Sequence, residues 1–510
     1  MNHPELAERS HVHLRAVARG SAGTLLGAVV STVAGFALVL VVTRSVSTET
    51  AGRFFTASAV FLIALAVSGL GTDTGLARFV LRTGSRGAVR ALVRTASVPV
   101  VVVALAIAAV VAVVSPDARW LVWALPLAAL SDLALAVIRA HALFRATVLI
   151  DRVARPAIQL LLVTLAVATA GSGAAIATAW AAGYAASALL SLRALRRVLA
   201  RPPVPLDGAG DDVAPRVFWR FTWPRAAARV AQIAIQKSDI VIVAWLLSPA
   251  DAALYAVATR FVVFGQLANQ AVSTVVQPRF TMILAGSGES GASDESGGSG
   301  GDRALLDRVF AVTTGWSILS AWPIYLCVAA APAGYLGWFG DGYDSVESRA
   351  VAVVMCCGML AAVASGPVDT LLLMTGRSGR SLANTLVALA IDVALCLVLV
   401  PRVGIAGAAV AWVVAVVVRC ILATVQLRAD IGLALPVRTL LGAAALPVGC
   451  ILLPLGALQF AFDLAPVTWL LSSGLVGAGY LAVAWRLREP LAIDLFVAGL
   501  RGHGKQVVTT

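Results

Sequence analysis

The chain has 510 residues, of which 60% are hydrophobic and only 13% charged, with a mean hydropathy of +0.91 and a formal net charge of +13. No soluble globular domain has that balance, so the composition makes the chain a polytopic membrane protein. Its six cysteines, Cys327, Cys356, Cys357, Cys396, Cys420 and Cys450, lie in apolar segments without metal-ligand spacing and read as small buried hydrophobes, so neither a metal nor a cofactor is expected.

Residues 1–20 form a polar N-terminal segment carrying Arg9, Arg15 and Arg19, and the apolar run after it has no small-residue cleavage site, so it reads as an uncleaved first span. Apolar runs of about 18 to 25 residues, each long enough to cross roughly 30 Å of hydrocarbon, then recur along the chain. They predict an all-α protein of about fourteen transmembrane helices. The expected starts are near residues 21, 53, 96, 119, 154, 172, 226, 252, 309, 350, 382, 404, 436 and 466.

Sorting the cations by alternate loops places both termini in the cytoplasm. Arg44, Arg53, Arg119, Arg349 and Arg402 then fall outside, Lys237 and Arg260 fall within spans, and the other Lys and Arg residues lie inside. The positive charge is therefore a topology signal of a protein in the cytoplasmic membrane, and no nucleic-acid partner is expected.

Short similarities divide the chain. "AGRF" at 51–54 answers "AALY" at 252–255, "GAAIA" at 173–177 answers "GAAVA" at 407–411, and Asp132 answers Asp369. They imply two six-helix lobes, 21–195 and 217–427, related by a pseudo-twofold axis along the membrane normal, with a natural place for a cavity between them. A Pro- and Asp-bearing linker at 196–216 separates the lobes, and a terminal helix pair at 428–488 and a cytoplasmic tail at 489–510 follow. The Gly/Ser-rich stretch within 286–302 is expected to be disordered.

The connection after span two carries Arg78, Arg82, Arg86, Arg90 and Arg94, four residues apart, which anchor to anionic headgroups or attract a pyrophosphate. Span seven holds the most informative pattern. Thr222, Arg225, Arg229, Gln232, Gln236 and Asp239 fall within an arc of about 100° on a helix. Asp239 sits roughly 13 Å from the end near Ser248, where a charge costs about 2.5–3.5 kcal/mol and so avoids lipid. Lys237 points about 160° from Asp239, so the two need separate partners; Asp369 or Asp392 could serve Lys237.

Span eight repeats the pattern with Tyr255, Thr259, Gln266, Gln270, Ser273 and Gln277 on one side, a wall suited to sugar hydroxyls or to helix packing. Arg260 lies off that side. No catalytic residues are expected: "GLRGHGKQ" at 499–506 lacks the Ser/Thr of a P-loop and a preceding strand. The outer loop at 331–348, with Asp341, Asp344 and Glu347, reads as an acidic interfacial segment.

"KSDIVIVAWLLSPADAALYAVATRF" at 237–261, "WFGDGY" at 338–343 and "PRVGIAGAAVAW" at 401–412 resemble the polysaccharide flippases of the multidrug/oligosaccharidyl-lipid/polysaccharide exporter superfamily. The resemblance implies transfer of an undecaprenyl-diphosphate-linked oligosaccharide from the inner to the outer leaflet by alternating access between two lobes. It also implies work alongside a polymerase and glycosyltransferases, in contact with membrane lipids. Lys237, Arg260 and Arg229 become candidate diphosphate contacts and the glutamines candidate sugar contacts. A related multidrug extruder would need a cation-coupling carboxylate, for which Asp239, Asp369 and Asp392 are the candidates. A peptidoglycan-precursor flippase would carry charges in its first span, and "SAGTLLGAVVSTVAGFALVLVVT" has none. A membrane glycosyltransferase or polymerase would need outer-loop acidic or arginine motifs.

Overall fold

The computed structural model of the protein describes residues 3–83, 85–141, 143–200, 213–289, 298–433 and 437–489. Residues 201–212 of the expected linker, 290–297 of the Gly/Ser-rich stretch and 490–510 of the expected tail lie outside them. Every regular element among the described residues is a helix. Among the described residues, ten helices are long and apolar enough to cross a membrane. The helices at the other four expected positions, near 119, 154, 226 and 252, are shortened, broken or charged, for reasons their sequences make plain.

The chain forms two compact units. The first comprises Gly23–Val257 with Cys396–Pro401. It contains most of α1 (His3–Ser45), then α2 (Thr48–Ser68), α3 (Thr72–Phe79), α4 (Arg86–Val114), α5 (Arg119–Val122), α6 (Leu125–Ala140), α7 (Phe144–Thr147), α8 (Arg155–Thr169), α9 (Gly173–Ala200), α10 (Pro215–Leu246) and most of α11 (Pro249–Ala258). Helix α6 is its centre, buried along nearly its whole length and packed against α3, α4 and α9. A hydroxyl cluster ties α6 to α9: Ser131 and Ser187 oxygens lie 3.0 Å apart, and Ser191 donates to Ser131 over 3.1 Å. Between α7 and α8, Val148–Ala154 winds as a π-helix.

Close backbone approach seats α10 on α2 and α3. Gly71 has φ +67°, a left-handed conformation that glycine adopts without a Cβ penalty, and a Cβ there would meet the Ala226 nitrogen at 2.6 Å. A Cβ on Gly75 would meet Thr222 Oγ1 at 2.5 Å.

The second unit comprises Met1–Ala22, Ala258–Leu395 and Arg402–Thr510. It contains α12 (Val262–Glu289), α13 (Gly298–Ala330), α14 (Pro332–Leu336), α15 (Val346–Ala364), α16 (Val368–Met374), α17 (Ser378–Val403, less Cys396–Pro401), α18 (Ile405–Ile431), α19 (Val437–Pro447), α20 (Leu453–Phe462) and α21 (Pro466–Arg486). Helix α13 packs against α12, α15 and α19. A core of Val272, Val276, Phe280, Phe310, Leu371, Leu372 and Leu427 closes one region. In another, Phe261, Tyr325, Tyr335, Phe339 and Trp469 stack edge-on.

The surface is as apolar as a membrane solvent requires. Val102, Val110 and Val113 on α4, and Leu471, Leu475 and Leu481 on α21, are exposed. In water such stripes would favour aggregation; against lipid they are the ordinary outer face of a spanning helix.

Candidate functional site

Helix α10 begins with Pro215 at its first turn, where a missing N–H costs nothing, and continues through Pro224 to Leu246. Its buried positions, Phe218, Thr222, Ala226, Ala231, Ile235, Asp239 and Val243, recur mostly at four-residue steps. The predicted polar stripe is exposed at Arg229, Gln232 and Gln236 and becomes buried at Asp239. Hydrocarbon cannot hydrogen-bond a guanidinium or a primary amide, so exposed groups of this kind at spanning depth call for water or a polar ligand.

At the far end of the stripe, Asp239 is 4% exposed. The Tyr255 hydroxyl donates to its Oδ2 over 2.5 Å, joining α10 to α11, and its Oδ1 has no hydrogen-bond partner. The pairing separates Asp239 from the exposed part of the stripe and explains why Tyr255, itself 1% exposed, does not line an open wall. Lys237 is half-buried on a neighbouring face.

At the near end, two cations share one aromatic ring. The Arg225 guanidinium lies 3.5 Å from the Phe221 ring centroid and donates to the Phe221 carbonyl over 2.8 Å. The Arg78 guanidinium, from α3, lies 4.3 Å from the same centroid. The ring's π face attracts each cation while the two repel one another, an arrangement that an added anion would relieve.

Beside Arg229 lies a charge cluster that the span pattern does not reveal. Arg155 pairs with Asp151 at 2.9 Å and sits 4.9 Å from the Tyr184 ring centroid. Arg152 approaches Asp151 at 3.6 Å. The charges of Asp151, Arg155, Arg229 and Arg139 all act on Asp132 of α6. The π-turn rotates Asp151 relative to a regular helix, as such turns do at many functional sites. "DRVAR" at 151–155 is the sequence signal, but it falls at a span edge, where charges are ordinary.

In the second unit, Gln266, Gln270 and Gln277 are exposed on α12 and Ser273 is half-buried. Arg260 is half-buried at the break before α12, where Tyr335 interacts with it electrostatically. Asp369 of α16 meets Arg419 of α18 at 3.5 Å, which supplies it with a cation of its own. Asp392 of α17 is fully buried. Asn384 and Gln426 exchange two hydrogen bonds of 2.9 Å and Arg380 pairs with Asp430, fastening α17 to α18, while Arg377, just before α17, also pairs with Asp430. In the acidic loop, Asp344 grips Arg349 through two bonds of 2.7 Å. No group of three or more His, Cys, Asp or Glu residues that could hold a metal occurs among the described residues.

Residues 17–284 match the family of polysaccharide biosynthesis proteins. Among solved structures, the lipid II flippase MurJ in an inward closed conformation is similar, with a TM-score of 0.69 at 12% identity, covering 92% of this chain and 99% of that one. A MOP superfamily transporter from Pyrococcus furiosus gives a TM-score of 0.53 at 15% identity, with 82% and 96% covered. An inward-facing multidrug resistance MATE family transporter gives 0.57 at 14%, with 79% and 95% covered. At such identities the likeness is one of fold. No curated protein matches the chain.

Proposed function

We propose, from the premise that this chain belongs to the family of polysaccharide biosynthesis proteins, that it moves a lipid-linked oligosaccharide across the cytoplasmic membrane, by alternating access, for cell-surface polysaccharide synthesis. The observation that carries the reading is the stripe on α10, where Arg229, Gln232 and Gln236 are exposed on a helix packed against the apolar α2. A glycan bearing a diphosphate has to shed water to enter hydrocarbon, and a transporter lowers that cost by offering cations and amides in its place.

The roles follow from the chemistry of each side chain. Arg78 and Arg225, held on the Phe221 ring, and Arg229 above them are the diphosphate contacts. Gln232 and Gln236, and on the other unit Gln266, Gln270 and Gln277, meet sugar hydroxyls, each amide offering both donors and an acceptor. Lys237 and Arg260, both half-buried, act from the flanks. Asp239, Asp369 and Asp392 are the carboxylates through which a cation gradient would couple. An inside-negative potential also favours outward movement of an anion by about 2.3 kcal/mol per charge per 100 mV. Glycosyltransferases that build the substrate and a polymerase that consumes it are the implied partners.

The test is depletion of the protein followed by leaflet-resolved analysis of lipid-linked intermediates. The expected result is accumulation of a glycolipid facing the cytoplasm. Unchanged lipid-linked glycans together with altered drug sensitivity would move the reading to multidrug extrusion, and accumulation of a peptidoglycan precursor would move it to that substrate.

A further inference from the structure

The first unit has a polar cavity at the end where α2 and α9 begin and α4 ends. Its volume is about 350 Å³, and it is lined by Glu49, Arg53, Asp117 and Trp120 over a floor of small residues that includes Gly173 and Ala177. Arg53 lies 2.6 Å from Glu49 and 4.0 Å from Asp117, so one guanidinium faces two carboxylates and the pocket is formally anionic. Trp120 is 42% exposed, and the Arg119 guanidinium 4.9 Å from its ring centroid braces it. Trp120 and Ala174 also border a shallow apolar depression of about 510 Å³ between α8 and α9, lined by Leu162, Leu165 and Ala166 among others.

The chemistry selects a ligand class. Two carboxylates against one guanidinium repel phosphate. With fewer than three metal-ligating groups gathered there, the pocket makes a poor cage for a hard cation. What suits it is an uncharged polyol: carboxylates accept from paired hydroxyls, a guanidinium donates to ring and hydroxyl oxygens, and an indole covers the C–H face of a pyranose. We propose that Glu49, Arg53, Asp117 and Trp120 form a saccharide-binding subsite, separate from the α10 stripe, that holds an uncharged sugar unit of a membrane-tethered glycan. The adjoining apolar depression suits the tether, because Trp120 and Ala174 belong to both. The sugar class rests on the pocket's own chemistry; only the source of the sugar rests on the transport reading.

The experiment is saturation-transfer NMR on the full chain in phospholipid nanodiscs, which avoid sugar-headed detergents. The probes are the methyl glycosides of glucose, galactose, mannose and N-acetylglucosamine at millimolar concentration. Saturable transfer to at least one probe is expected, reduced at least fivefold by Trp120→Ala and by Asp117→Asn and unchanged by Leu475→Ala on the lipid-facing surface. Asp117→Asn is isosteric and on the surface, so it reports on the pocket even where loss of the indole harms folding. No saturable transfer from any probe, or transfer that persists in both pocket variants, overturns the subsite. Because the probes carry no lipid, a failure of leaflet transport with sugar binding intact would overturn the transport reading alone, and the converse would overturn the subsite alone.

Discussion

Arg229 and Asp239 lie ten residues apart on one predicted stripe, yet the structure exposes the first and buries the second. The difference sets opposite expectations. Arg229→Ala removes a cation from the exposed stripe, and transport should fall by about tenfold or more, the scale of a lost charge-assisted contact, while protein level and thermal stability hold. Tyr255→Phe removes the hydroxyl that donates to Asp239. It leaves a buried carboxylate without that donor and should lower stability by about 1–3 kcal/mol, read as a reduced melting temperature with transport per folded molecule unchanged. Asp239→Asn separates packing from coupling: a packing role predicts near-normal transport, whereas loss of transport in a folded variant would make Asp239 the coupling carboxylate. The stripe itself is legible in the sequence because it needs only helical periodicity. The point at which it closes is not, because α11 covers Asp239 through a contact sixteen residues away that no periodicity encodes.

Among elements, the π-turn at Val148–Ala154 and the glycine-mediated seat of α10 decide where charges sit. Deleting Val153, which lies between them, would return the π-turn to α-helical winding and turn Asp151 by about 100° relative to Arg155. The expected outcome is a folded protein, by far-ultraviolet dichroism and gel filtration, with transport reduced severalfold. Intact transport would detach the Asp151–Arg155 pair from function. Gly75→Leu tests the seat, since even a Cβ there meets Thr222 and Phe218. Overpacking of this kind costs about 1–3 kcal/mol, visible as a lowered melting temperature. Sequence reading recovers the helices that are long and uniformly apolar, because composition alone selects them. The helices at the expected starts near 119, 154 and 226 are harder to bound: α6 is only 16 residues, α8 only 15, and α10 carries Arg225, Arg229, Lys237 and Asp239. These are the helices that hold the charge cluster and the stripe.

For the whole molecule, the decisive question is which exposed surface meets lipid and which meets water. Val113 on α4 and Leu475 on α21 are exposed and apolar, whereas Gln236 on α10 and Gln270 on α12 are exposed and polar. Placing an uncompensated amide in hydrocarbon costs several kcal/mol, so a lipid-facing Gln236 or Gln270 would be selected against. On the proposed function, Gln236 in the first unit and Gln270 in the second therefore each mark a surface that meets water. Single cysteines at these four positions, in a background lacking the native cysteines, separate the two environments. A charged, water-soluble thiol reagent reacts with the thiolate, which forms readily in water and very little in hydrocarbon. Gln236→Cys and Gln270→Cys should label in native membranes, while Val113→Cys and Leu475→Cys should label only after solubilisation and unfolding. Excess glycolipid extract, if it contains the substrate, should protect the first pair and leave the second unaffected. Folded Gln236→Cys and Gln270→Cys proteins that resist the reagent would show the stripes to be dry, and the polar path they are proposed to form would then be lost with them.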